Sequence, residues 1–129
     1  YVLIAPRTLA KSGNSNLTWE DAARLPLCLL TNDRYIQQHI YDTFEQVKIN
    51  PKVVVEANDL SAVMAQVTTG NAATILPFSS VNYLTKVNSL LIFDLIKPVV
   101  VEKIGLVFND QSALRPIALE LRELTNNML

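Results

Sequence analysis

The sequence predicts an α/β fold with a mostly parallel sheet, because short apolar runs alternate with amphipathic helical stripes along its length. The β-branched run at residues 53–55 and the stripe that follows it are one such pair, the stripe being Leu60, Val63, Met64 and Val67. Of the 129 residues, 50% are hydrophobic and 18% are charged. This balance is typical of a chain that buries a core, and the length fits one domain or two small lobes.

Short apolar runs predict strands over residues 1–5, 27–30, 53–55, 73–76, 90–94 and 99–108. Pro6 stops the first of them. The run at 53–55 is continuous, which predicts burial on both faces. The run at 99–108 exceeds the usual strand length of about five or six residues, so we expect it to pass between two lobes. A polar loop is predicted over 11–16, and a helical turn near 80–84.

Capping residues predict where the first two helices begin. Thr18, with Asp21 three positions later, indicates a capping box at the start of a short helix, with Asp in place of the usual Glu. Asn32 or Asp33 then caps a helix over residues 34–47.

Residue patterns also predict both ends of the next helix and the start of the last one. Asn58 or Asp59 caps a helix whose C′ residue is Gly70. The last helix starts at Ser112, with Pro116 close behind. Its apolar stripe consists of Leu114, Ile117, Ala118, Leu121 and Leu124.

Charge and residue counts exclude several functional classes for this segment. The formal net charge is −1 and no two Lys or Arg residues are adjacent, so the segment lacks a basic stripe for nucleic acid. One cysteine and one histidine, Cys28 and His39, cannot build a zinc site, and we expect neither metal nor cofactor. The sequence has no Gly-x-Ser-x-Gly and no Gly-Lys-Ser/Thr motif, so we predict no enzyme active site. No apolar run approaches the roughly 18 residues of a membrane span.

A binding site is the remaining interpretation. Thr31, Asn32, Asp33 and Arg34 lie where a buried strand turns into a helix. Ligands of open α/β folds bind beyond the carboxyl ends of strands, where helix N-termini offer free N–H donors. Arg34 could pair with a carboxylate, although these residues could equally serve as a helix cap and a solvated charge. A carboxylate, a sulfur metabolite or a neutral amide fits the loop equally well.

Polar residues around the Gly70 helix end form a weaker candidate set. Thr68, Thr69 and Asn71 flank this glycine, and we include Thr69 and Asn71 among the candidate binding residues. Polar residues are ordinary at a helix C-terminus, so a structural role is the competing interpretation.

The order of these segments resembles the effector-binding domain of LysR-type transcriptional regulators. The resemblance rests on Leu9-Ala10-Lys11, Leu17-Thr18-Trp19-Glu20-Asp21-Ala22, Leu25-Pro26-Leu27-Cys28-Leu29-Leu30, Val53-Val54-Val55-Glu56, Val67-x-x-Gly70-x-x-x-x-Ile75-Leu76-Pro77 and Ile104-Gly105-Leu106-Val107-Phe108. Two positions depart from the family pattern. Arg7-Thr8 stands where the family usually has His-Pro, and Ala72 where it often has a second glycine.

The resemblance implies a fold like that of type II periplasmic binding proteins, with one complete lobe and part of another. Residues 1–10 would be the crossing into the second lobe, 11–98 that lobe, and 99–129 the return strand and C-terminal helix of the first lobe. Residues 31–34 would match the loop that faces the effector, and Arg7 would add a basic group near the crossing.

The resemblance also implies partners and location. We expect a small, anionic effector, and DNA binding only through an N-terminal helix-turn-helix outside this segment. The intact protein is expected to be a cytoplasmic homo-oligomer with no membrane contact. The strand at 99–108 and the last helix would lack their first-lobe partners, so we expect them to pair with another chain.

Two other functions share this fold class. One is a solute-binding protein that serves a transporter, which would be exported. The other is a catalytic domain such as a dehydratase-type enzyme, which would need an acid/base pair in the cleft. Helix-turn-helix sequence upstream of this segment would favour the regulator.

Overall fold

The computed structural model describes residues 1–10, 13, 15–81, 89–101, 105, 107 and 116–128. The strands are β1 (Val2–Pro6), β2 (Asn16–Thr18), β3 (Leu27–Leu30), β4 (Val53–Ala57), β5 (Thr74–Leu76) and β6 (Leu90–Ile96). The helices are α1 (Trp19–Ala23), α2 (Arg34–Gln46), α3 (Leu60–Thr68) and α4 (Pro116–Met128), and a 3-10 turn spans Phe78–Ser80. The alternation of strands and helices predicted from the sequence is confirmed, and β2 is an additional strand.

The strands follow the spatial order β4-β3-β5-β1-β6-β2. Strands β3 and β4 pair in parallel, and a parallel bridge joins Leu27 of β3 to Ala73, immediately before β5. Strand β1 runs antiparallel to both of its neighbours, β5 and β6, while β2 is parallel to β6. In the described part of the chain, every strand except β1 therefore runs in the same direction, but the pairing is mixed rather than mostly parallel, because both pairings of β1 are antiparallel.

Both faces of the sheet are covered by helices. Leu3 and Ala5 of β1 enter the cluster formed with α1 and α2. Val2 and Ile4 enter a second cluster, which contains Val67 of α3. Successive side chains of a strand point to opposite faces, so an entirely apolar strand such as β1 is stable only when both faces are buried.

Strand β4 contradicts the prediction that residues 53–55 are buried on both faces. Val54 is 48% exposed, and Val53 and Val55 are only partly buried. The reason is topological, since among the described strands β4 pairs only with β3 and forms the edge of the sheet. A continuous β-branched run is compatible with an edge strand as well as with a central one, and the sequence does not distinguish them.

Helix α1 begins with the predicted capping box. The Thr18 hydroxyl oxygen accepts the Asp21 N–H at 3.1 Å, and an Asp21 carboxylate oxygen accepts the Thr18 N–H at 3.2 Å. The hydrogen bonds from Thr18 lower the pKa of the Asp21 carboxyl. The short aspartate therefore serves where a glutamate is usual.

Helix α2 ends before Pro51, and a left-handed residue rather than the proline ends it. Lys48 has φ 59°, and its N–H donates to the Glu45 carbonyl at 2.9 Å. The Ile49 N–H donates to the Phe44 carbonyl at 3.1 Å. These two bonds define a Schellman motif with a lysine at the position that usually holds glycine.

Helix α3 has the predicted ends. Asp59 is the N-cap, and Gly70 follows the last helical turn with φ 86°. The Gly70 N–H donates to the Val67 carbonyl and the Asn71 N–H to the Gln66 carbonyl, both at 3.1 Å. This is the same Schellman motif, here with the expected glycine.

The C-terminal predictions lie partly outside the described residues. Of the run at 99–108, residues 99–101, 105 and 107 are described, and they belong to no strand. Ser112 and Leu114 also lie outside, and the described helix begins at Pro116. Its stripe is buried at Ala118 but exposed at Ile117, Leu121 and Leu124. The turn predicted near 80–84 is found earlier, at Phe78–Ser80, and residues 82–84 are outside the described part.

Candidate functional site

Polar loops gather at the edge of the sheet where the parallel strands end. Leu30 of β3 pairs with Ala57 of β4 at this edge, and the Thr31 N–H donates to the Ala57 carbonyl at 2.8 Å. Strand β5 ends beside the start of β1, since Leu76 pairs with Val2. The loops that follow β3 and β4 lead directly into α2 and α3. We call this side of the sheet the carboxyl edge.

The four residues predicted from the strand–helix junction all lie at the carboxyl edge. Thr31 is half-buried at the end of β3, and Asn32 and Arg34 are exposed. Asp33 is the N-cap of α2, which settles the choice between Asn32 and Asp33. This loop therefore combines a hydroxyl, an amide and a guanidinium at the place where α/β folds bind ligands.

The helix N-termini at this edge are occupied by their own aspartates. A carboxylate oxygen of Asp33 accepts the N–H groups of Tyr35 at 3.0 Å and Ile36 at 3.2 Å. Asp59 at the start of α3 likewise accepts from Ser61 and Ala62. Hydrogen bonds from Ala62 and Ser61 lower the pKa of the Asp59 carboxyl.

This capping corrects the expectation that free backbone donors of the α2 N-terminus would hold an anion. An N-cap carboxylate uses the donors and places a negative charge at the positive end of the helix dipole. Recognition of an anionic group at this edge is therefore left to side chains, and Arg34 supplies the positive charge of the loop.

The other three candidate residues lie at the opposite edge of the sheet. Arg7 follows the end of antiparallel β1, and its N–H donates to the Ser89 carbonyl, just before β6 begins. Thr69 and Asn71 lie between the end of α3 and the start of β5. The seven candidates thus divide into two groups, and residues 31–34 share no site with Arg7, Thr69 and Asn71.

Local hydrogen bonds account for Thr69 and Asn71. The Thr69 hydroxyl donates to the Ala65 carbonyl at 2.7 Å, as is common in the last turn of a helix. The Asn71 side-chain amide donates to the Thr69 hydroxyl oxygen at 3.1 Å. Both residues thus belong to the end of α3, and we leave them and Arg7 out of the proposed effector site.

Sequence reasoning missed three residues at the carboxyl edge. Asn58 is exposed and precedes the Asp59 cap, and its sequence context indicates only a helix cap. Phe78 is 62% exposed directly after Pro77 at the end of β5, and Tyr35 is 59% exposed in the first turn of α2. The rule that side chains beyond strand ends face a ligand could have found Phe78, but its apolar character suggests a core residue.

Three further observations concern metal binding, membrane spans and the single cysteine. In the ranges that the structure describes, no cluster of His, Cys, Asp and Glu has the geometry of a metal site. No described helix is long and apolar enough to cross a membrane. Cys28 is fully buried, and burial raises the pKa of its thiol.

Polar loops beyond the carboxyl ends of strands lie where open α/β folds bind ligands. The sequence model of the LysR substrate binding domain matches residues 1–129. The chain belongs to this family, which confirms the resemblance. No curated protein matches the sequence.

Solved structures show the same fold. HinK, a LysR family transcriptional regulator from Pseudomonas aeruginosa, is 18% identical with a TM-score of 0.75, over 99% of this chain and 44% of HinK. The regulatory domain of Synechocystis PCC6803 CcmR, in complex with 2-PG, is 16% identical with a TM-score of 0.75, over 98% of this chain and 63% of that domain. The effector binding domain of QuiR, in complex with shikimate, is 14% identical with a TM-score of 0.70, over 95% of this chain and 61% of that domain.

These likenesses confirm the fold class, that of LysR effector domains and of periplasmic-binding-protein-like folds. The chain spans less than half the length of HinK and less than two thirds of the other two domains.

Proposed function

We propose that this chain is part of the effector-sensing domain of a LysR-type transcriptional regulator that acts in the cytoplasm. A small metabolite binds between this lobe and a second lobe, and its binding alters how an N-terminal helix-turn-helix holds DNA. The family match over residues 1–129 carries the proposal. The effector complexes of CcmR and QuiR support a binding role rather than a catalytic one.

The directions of β1 and β6 support the proposed division of the chain. Residues 1–10 enter the lobe, residues 11–98 form it, and residues 99–129 return to the first lobe. Tyr1 and Lys97 lie at the carboxyl edge, because β1 starts there and β6 ends there. A cleft between two lobes connected at this edge would be lined by the loops that follow β3, β4 and β5.

The proposed effector wall in this lobe consists of Thr31, Asn32 and Arg34, with Asp33 holding the loop. The exposed Arg34 guanidinium is suited to a carboxylate or another oxyanion, and the Thr31 hydroxyl and Asn32 amide to further polar atoms. The capped helix N-termini place Asp33 and Asp59 beside this wall. We therefore expect affinity for an anionic effector to depend strongly on Arg34.

A thermal-shift screen of the full-length protein tests this proposal. The compounds are small carboxylates, sulfur metabolites and aromatic acids, each at high concentration. A ligand at a hundred times its Kd adds roughly 2.7 kcal/mol to the free energy of unfolding. We expect Arg34→Ala and Thr31→Val to abolish the shift of a positive compound without lowering the ligand-free Tm.

Arg24→Ala is the matched control. Arg24 follows the last turn of α1, at the end of that helix that points away from the carboxyl edge. A shift that survives Arg34→Ala and Thr31→Val as well as Arg24→Ala would place the ligand elsewhere. If no compound raises the Tm of the wild-type protein, a regulator that acts through interactions alone, without one of these metabolites, becomes the better interpretation.

The exposed face of α4 supports a further proposal about assembly. Ile117 is 66% and Leu124 54% exposed, and burying one large aliphatic side chain is worth roughly 1.5–3 kcal/mol. We propose that the 129-residue chain covers this face by pairing with a second copy. Light scattering should give a dimer that Leu124→Lys dissociates, and a monomer at micromolar concentration would contradict the proposal.

A further inference from the structure

Trp19, the first residue of α1, is fully buried. At the carboxyl edge it contacts the segment that leads into β1, at Tyr1, and the segment that follows β6, at Pro98. Its indole Nε1–H donates to the Pro98 carbonyl at 2.9 Å. Its ring lies against the Tyr1 ring, with centroids 6.2 Å apart and planes at 58°. A third contact joins the indole edge-to-face with the ring of Phe44 in α2, with centroids 5.3 Å apart.

The two segments are neighbours in the sheet. Tyr1 leads into β1 and Pro98 follows β6, and the Leu95 N–H donates to the Tyr1 carbonyl at 3.2 Å. Beyond Pro98, Val100 packs on the same cluster as Trp19, while Val99 and Val101 are 68% and 79% exposed. Within the described residues, the Trp19–Pro98 hydrogen bond and the packing of Val100 attach the outgoing segment to the lobe.

We infer that Trp19 is a positioning residue for the hinge between lobes, because one rigid indole holds both the incoming and the outgoing segment. This inference rests on the proposed function, in which these segments are the two crossings. The two segments are held to the lobe as far as Tyr1 and Pro98, so a closing motion pivots beyond these two residues. The Nε1–H bond sets the direction in which the outgoing chain leaves the lobe.

The N–H is the part of the indole whose loss should most affect the outgoing segment. A buried Trp N–H needs an acceptor, and here that acceptor is a main-chain carbonyl of the crossing itself. Loss of the donor leaves the ring contacts with Tyr1 and Phe44 nearly intact. Of the two attachments seen among the described residues, the packing of Val100 then remains.

Nitroxide mobility in the full-length protein tests the inference without any ligand. Spin labels are placed at Val99→Cys or Val101→Cys, where the native side chains are exposed, and at Val54→Cys on the distant edge strand, with other reactive cysteines replaced. In Trp19→Phe we expect a shift towards faster motion at 99 and 101 and no shift at 54. Phe44→Leu, which disturbs the same cluster but keeps the Nε1–H bond, should leave the labels at 99 and 101 unchanged.

Benzothienylalanine in place of Trp19 removes the N–H at constant ring shape and serves if Trp19→Phe does not fold. Unchanged mobility at 99 and 101 in both Trp19 variants, or an equal change in Phe44→Leu, would overturn the inference. The thermal-shift screen decides the proposed function separately. A silent screen with a positive mobility result would leave Trp19 as an anchor of both segments in a protein that senses no tested metabolite.

Discussion

The hydroxyl of Tyr41 donates to a carboxylate oxygen of Glu56 at 2.9 Å. This bond connects helix α2 to the edge strand β4, where Val54 is 48% exposed. Burial, together with the hydrogen bond and the negative charge of Glu56, raises the pKa of Tyr41 to about 12. A carboxylate that accepts from a phenol stabilises the neutral phenol, so the contact depends on pH.

The stability of the wild-type protein should fall at alkaline pH partly because of Tyr41. Its folded-state pKa of about 12 lies above the ordinary tyrosine value of 10.0. Between these two pH values the unfolded state has therefore lost a proton that the folded state keeps. The contribution is therefore complete below about pH 10 and is lost as the pH rises towards 12. Urea unfolding at several pH values should show a shallower alkaline decline for Tyr41→Phe. Tyr35→Phe, at an exposed ring, is the control, and equal slopes for wild type and Tyr41→Phe would contradict the assignment.

Thr74→Val should stabilise the protein. The Thr74 side chain is fully buried in β5, and its hydroxyl has no hydrogen-bond partner within the described residues. A buried, unsatisfied polar group costs about 1–3 kcal/mol, and valine has the same shape without the hydroxyl. We expect the free energy of unfolding to rise by about 1 kcal/mol.

Thr43→Val is the matched control for Thr74→Val. Thr43 is also buried, but its hydroxyl donates to the His39 carbonyl at 2.7 Å. Removing that bond should lower the free energy of unfolding by about 0.5–1.5 kcal/mol. If both variants are less stable than wild type, the Thr74 hydroxyl has a partner after all.

Gly70→Ala should destabilise the end of α3. Gly70 has φ 86°, and an added Cβ would lie 3.3 Å from the Thr8 hydroxyl oxygen. The left-handed backbone alone costs an L-residue about 1–2 kcal/mol, so we expect at least that loss in urea unfolding. Gly13→Ala is the control, because an added Cβ there meets nothing within 4 Å. Equal losses in the two variants would show that backbone conformation is not the cause.

Lys48→Gly should stabilise the protein, which is the opposite of the effect expected for Gly70→Ala. Lys48 holds the equivalent position at the end of α2. Lys48 adopts φ 59° in the same motif, so glycine relieves strain there. The substitution also removes a positive charge at the helix C-terminus, which is worth about 0.3–1 kcal/mol at low salt. We therefore expect a net gain of about 0.5 kcal/mol, measured at high salt. Lys52→Gly, outside the left-handed region, should lose stability, and a loss in both variants would refute the argument.

The sequence was most informative where a single local interaction decides the structure. Thr18 and Asp21 form the predicted capping box, and Gly70 has the predicted left-handed conformation. Both depend on contacts within a few residues, which spacing alone specifies. The end of α2 shows the limit of this reasoning, because Lys48 carries no residue-type signal for a left-handed conformation.

The candidate site was only partly predictable for the same reason. The position of residues 31–34 at the end of a strand follows from chain order, and the structure places them at the carboxyl edge. Arg7 and Asn71 could not be separated from them by sequence, because which edge a loop occupies depends on strand direction. The antiparallel β1 puts Arg7 at the opposite edge.

The sequence by itself determined the α/β class, the caps and the apolar runs, because these depend on residue type and on spacings of two to four positions. Only the tertiary structure decided that β4 is an edge strand, that β1 is antiparallel, and that Trp19 contacts Tyr1 and Pro98. The Trp19–Pro98 bond joins residues 79 positions apart. Contacts between residues so far apart in the chain form only together with the rest of the sheet. Closing the intervening loop costs conformational entropy, and other contacts of the fold must offset this cost.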